Sequence, residues 1–71
     1  MAYGFAIMRE DFTEEAYPES LGVSIIAIFV GEKKEQVLET SESFRAEKQK
    51  SAKGSETYYV DVFDGPFFEV G

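Results

Sequence analysis

The chain has 71 residues, 14 carboxylates against seven basic side chains for a net charge of −7, and 44% hydrophobic with 15% aromatic residues. That apolar content excludes a disordered chain, and the absence of both cysteine and histidine excludes disulfides and the usual ligand sets of zinc and most transition metals. Excess negative charge repels nucleic acid and anionic membranes and steers toward basic surfaces, so one small domain over residues 1–71 with a protein partner is expected, not a direct nucleic-acid or membrane binder.

Residues 3–9 alternate the large Tyr3, Phe5 and Ile7 with the small or flexible Gly4, Ala6 and Met8, which predicts a first strand with unequal faces. "EDFTEEAYPES" breaks that pattern and concentrates Glu10, Asp11, Glu14, Glu15 and Glu19. It reads as an acidic loop in which Thr13 caps one helical turn ending before Pro18. The carboxylate spacing does not match a calcium loop, so no metal site is expected; the first reading is a solvated loop, and the second a contact to a basic partner.

Residues 23–30 are apolar at odd and even positions and rich in β-branched side chains, the pattern of a central strand covered on both faces. "LGVSIIAIFV" is the longest apolar run, and its ten residues fall short of the roughly twenty that cross a bilayer. "GEKK" then reads as a turn and "EQVLET" as a shorter returning strand. A rival reading makes residues 32–53 one helix with Val37, Ser41, Phe44 and Ala52 along a stripe. The hairpin is preferred because Thr40, Ser41, Glu42 and Ser43 resemble a helix start more than an interior.

From Ser41 or Ser43 the chain is rich in helix formers, Lys48, Lys50 and Lys53 complement the dipole at its end, and Gly54 offers a left-handed cap. A helix of about three turns, anchored by Phe44 on one face of the sheet, is expected. "YYVDVFDGPFFEV" reads as a closing hairpin with a three-residue turn at Asp64, Gly65 and Pro66. That register places Tyr58, Val60, Val62, Phe68 and Val70 on a core face, and Tyr59, Asp61, Phe63, Phe67 and Glu69 on an aromatic surface edged with acid. The predicted class is α+β: a mainly antiparallel sheet in the order βββαββ with one helix packed on one face.

The carboxylates Asp61 and Asp64 point to different places, and there is no histidine or cysteine to serve as base or nucleophile. The serines and glycines form neither a nucleophile elbow, a phosphate loop nor a dinucleotide fingerprint. No catalytic role and no cofactor are expected. The opening "MAYGFAIMRE" lacks a basic leader, and the expected location is the cytoplasm.

Small size, negative charge and an exposed aromatic strip together suggest a protein-binding module. The expectation is a small inhibitor, of the kind phages and mobile elements carry, that mimics nucleic-acid phosphates and blocks a basic surface of a nucleic-acid-processing or defence complex. Its contact residues would be Tyr59, Asp61, Phe63, Phe67, Glu69, Glu10, Asp11, Glu14 and Glu15. The alternative is an assembly subunit that homodimerises through the aromatic face.

Overall fold

A computed structural model describes residues 1–68. In chain order they form β1 (Tyr3–Phe12), β2 (Ser20–Gly31), α1 (Lys34–Lys50) and β3 (Glu56–Phe63). The strands make one antiparallel sheet in the order β2-β1-β3, and α1 packs against all three. The α+β class holds. The order βββαββ does not, since three strands are present among the described residues.

The register decides which side chains share the helix. Phe5 lies between Phe29 and Val62, and Ile7 between Ala27 and Val60, so these residues project to one side. The helix is on that side. Phe29 meets Phe44 edge to face at 5.4 Å, and a Cβ at Gly31 would come within 2.7 Å of the Val37 side chain. Phe5, Ile7, Val37, Ser41 and Tyr58 are buried, and Ile7 and Ser41 are fully enclosed.

Residues 34–50 are helical throughout, which overturns the strand at "EQVLET" and supports the single-helix reading as far as Lys50. Val37, Ser41 and Phe44 follow the i, i+4, i+7 spacing of a stripe facing the sheet. Serine sits in the helix interior because its hydroxyl donates to the Val37 carbonyl at 2.7 Å, so the polar cluster at 40–43 does not mark a helix start. Ala52 lies past the end of α1, and Gly54 is not its left-handed cap, because positive φ among the described glycines occurs at Gly22 and Gly65. Lys48 and Lys50 do occupy the last turn.

The strand at 23–30 is not central. It belongs to β2, at an edge, and β1 is the middle strand. Pairing shifts from Ile7 with Ala27 to Met8 with Ile25, leaving Ile26 as an extra residue in a β-bulge. The bulge reverses the phase, so Val30 and Ile28 before it and Ile25 and Val23 after it all project away from the helix. Apolar residues at both parities therefore mark two apolar faces of which one is covered: Ala27 and Phe29 turn toward the helix, and the four branched residues turn away from it.

The acidic loop holds no helical turn. Thr13 closes it with two bonds, its N–H to the Glu19 carbonyl and its Oγ1 from the Glu19 N–H, both at 2.9 Å. The closing hairpin is also corrected: β3 ends at Phe63 and residues 64–68 join no ladder. A turn through Gly65, with φ +89°, brings the Phe67 ring back to 5.6 Å from Phe63. There Phe67 covers Gly4, where a Cβ would sit 2.8 Å from its ring and 2.7 Å from the Phe63 carbonyl oxygen.

Side chains bond to the outer edge of β3 near both of its ends. The Gln49 amide donates to the Glu56 carbonyl at 3.0 Å and accepts from the Tyr58 N–H at 2.9 Å, and Asp61 accepts from the Val62 N–H at 2.9 Å. Of the expected core face, Tyr58 is buried and Val60 half-buried. Val62 and Phe68 are exposed, and Val70 lies outside the described residues.

Candidate interaction surface on the open face of the sheet

Opposite α1, the sheet presents Val23, Ile25, Ile28 and Val30 from β2, Gly4, Ala6, Met8 and Glu10 from β1, and Thr57, Tyr59, Asp61 and Phe63 from β3. Phe67 adds its ring at the Gly4 end. The four branched residues of β2 keep between 43% and 54% of their surface in solvent, although the register gathers them on one side. Met8, Tyr59, Phe63 and Phe67 are half-buried against the small Gly4 and Ala6 in the middle strand. The result is a contiguous apolar face of the kind that marks interaction sites on small proteins.

Two carboxylates lie on this face. Glu10 pairs in register with Val23 and Thr57, and Asp61 with Ala6. Asp61 is exposed, with one oxygen accepting the Val62 N–H and the other free to meet a partner. The structure thus brings together Tyr59, Asp61, Phe63, Phe67 and Glu10. Glu69 lies outside the described residues.

The remaining acidic residues are elsewhere. Asp11 projects to the helix side, where its carboxylate lies 3.4 Å from Arg9 Nε in an ion pair without hydrogen-bond geometry. Contact with the Tyr58 side chain and then the Asp11 charge raise the Arg9 guanidinium above its already high ordinary value, so it is a permanent cation. Glu14, Glu15 and Glu19 are exposed on the loop at the far end of a molecule 47 Å long. About eight residues of β1, roughly 25 Å, separate that loop from the Phe63–Phe67 end.

At the aromatic end an open cleft of about 520 Å³ is lined by Tyr3, Phe5, Val62, Phe63 and Phe67, with Lys34 and Asp64 as its charged residues. Asp61 and Asp64 belong to different surroundings, the first on the open face and the second in this cleft. Reading residues 23–30 as buried core missed the contribution of β2 to the open face. The available signal was the phase, since Val23 and Ile25 are odd positions whereas Ile28 and Val30 are even.

No protein-family model, curated protein or solved structure matches the chain. Among the described residues, no helix is long and apolar enough to cross a membrane.

Proposed function

We propose that the protein is a non-catalytic binding module that docks the open face of its sheet on a partner with a basic surface. The observation supporting this reading is the exposed set Val23, Ile25, Ile28 and Val30 on the same face as Tyr59, Phe63 and Phe67, with Glu10 and Asp61 among them. Apolar and aromatic side chains supply the desolvated centre of such an interface. The carboxylates choose the partner: a second identical face would set acid against acid, whereas Lys or Arg on the partner would meet Glu10 and Asp61 with opposite charge.

The projecting acidic loop extends the same preference. Glu14, Glu15 and Glu19 stand in solvent at the end of the β1–β2 hairpin, beyond the apolar face. A rigid body carrying separated carboxylates fits a groove built for nucleic-acid phosphates, so a nucleic-acid-processing or defence complex, inhibited by the docked chain, is the partner class we favour.

The test is capture from the source cell's lysate by immobilised wild-type chain, Ile25→Ser/Ile28→Ser and Glu10→Gln/Asp61→Asn, each at low and high salt. A nucleic-acid-handling protein held by the wild type at low salt, and lost with either pair of substitutions, is the expected result. Capture that survives both pairs contradicts the reading.

A further inference from the structure

The two outer edges of the sheet are built differently. On β3, Gln49 engages the Glu56 carbonyl and the Tyr58 N–H, and Asp61 takes the Val62 N–H, so that edge is partly capped by the chain's own side chains. On β2 no described side chain bonds to the backbone, and its 12 residues, SLGVSIIAIFVG, include neither a charged residue nor a proline. Charge, proline and covering groups are what normally keep an exposed edge from pairing. Its pairing with β1 is interrupted twice, by the bulge at Ile26 and by a second shift that skips Leu21 near the hairpin end.

The ladder shows which backbone groups this edge offers. Because the Tyr58 N–H points outward, Arg9 directs its own backbone groups toward β2, and by the alternation of antiparallel pairing so do Ile7 and Phe5. Ile28 and Val30, which face Ala6 and Gly4, therefore turn their N–H and C=O groups to the outside. Their side chains stand on the open face.

We propose that this edge pairs antiparallel with β2 of a second copy, joining two three-stranded sheets into one six-stranded sheet about a two-fold axis at the bulge. Such pairing is self-complementary and closed. The phase change makes it match. With the axis at Ile26 and Ala27, Ile28 lies opposite Ile25 of the second copy and Val30 opposite its Val23, so β-branched residues meet on one face.

Charge favours this occupant and orientation. An uncharged strand offers nothing to an acidic or basic peptide, yet it lets two chains of net charge −7 approach at their least repulsive surface. The antiparallel arrangement sends the two loops carrying Glu14, Glu15 and Glu19 to opposite ends of the assembly, whereas a parallel one would set them side by side. The pairing leaves Tyr59, Phe63 and Phe67 uncovered, so it does not depend on the partner proposed above.

The test is light scattering across a concentration series on the wild type, Ile28→Pro and Phe63→Ser, with residue-resolved amide exchange on the wild type. Proline at position 28 removes an outward N–H and no bond within the sheet, so the fold is expected to persist. The wild type should have the mass of two chains, Phe63→Ser should keep it, and Ile28→Pro should have the mass of one. The Ile28 and Val30 amides should gain protection as concentration rises, a readout that stands if the proline variant does not fold. A single-chain mass at every concentration overturns the proposal, as does amide exchange at Ile28 and Val30 that ignores concentration. A two-chain mass lost in Phe63→Ser but kept in Ile28→Pro does so as well, by placing the contact on the open face.

Discussion

Under α1, Ile7 is wholly enclosed and Phe29 is held edge-on to Phe44, whereas across the sheet Val23, Ile25, Ile28 and Val30 keep about half their surface in water. The two faces carry comparable side chains and differ in what covers them. A single 17-residue helix covers one side of a three-stranded sheet and leaves the other open. Much of the chain's apolar content thus lies outside its own core, so substitutions on the two faces should separate stability from association.

The largest effect is expected at the centre of the covered face. Ile7→Ala should lower the free energy of unfolding by about 3 kcal/mol or more, read from the denaturant midpoint at constant slope, because the surrounding side chains leave a cavity where Ile7 is fully buried. Phe44→Ala comes next, at about 3 kcal/mol, and a double-mutant cycle with Phe29→Ala should return a coupling of about 1 kcal/mol for the edge-to-face pair. Equal losses from Ile7→Ala and Ile25→Ala would erase the distinction between the faces.

Gln49→Ala should cost about 1 kcal/mol, measured by thermal unfolding, since two bonds to the backbone of β3 are lost while that edge becomes open to water. The same substitution sharpens the contrast between edges, because uncapped β3 becomes the second edge free to pair. The smallest effect belongs to the open face. In dilute solution Ile25→Ser should change stability by less than about 1 kcal/mol in a urea titration, because little of the side chain's surface is withdrawn from water in the single chain.

The first strand was legible because large and small residues alternate strictly from Tyr3 to Ile7, and a two-residue period has one structural reading. The aromatic surface was legible for the same reason: Tyr59, Asp61 and Phe63 alternate with Tyr58, Val60 and Val62, and β3 keeps that parity. Where regularity is broken, local pattern misleads. At Ile26 an inserted residue changes which parity faces the helix, and in α1 a serine bonded to its own backbone resembles a cap. That residues 64–68 join no ladder could not be read from "DGPFF", because the Phe67 ring packs on Gly4, a residue at the other end of the sequence. Such contacts depend on tertiary placement, which no short window contains.

The most direct test of the account is the solvent accessibility of the open face in the isolated chain, read by methyl NMR with a soluble paramagnetic probe at high dilution. The Val23, Ile25, Ile28 and Val30 methyls should be strongly relaxed and those of Ile7 hardly at all. Methyls of β2 as sheltered as Ile7 in a single dilute chain would mean that the chain covers its own sheet on both sides, and the docking surface would not exist.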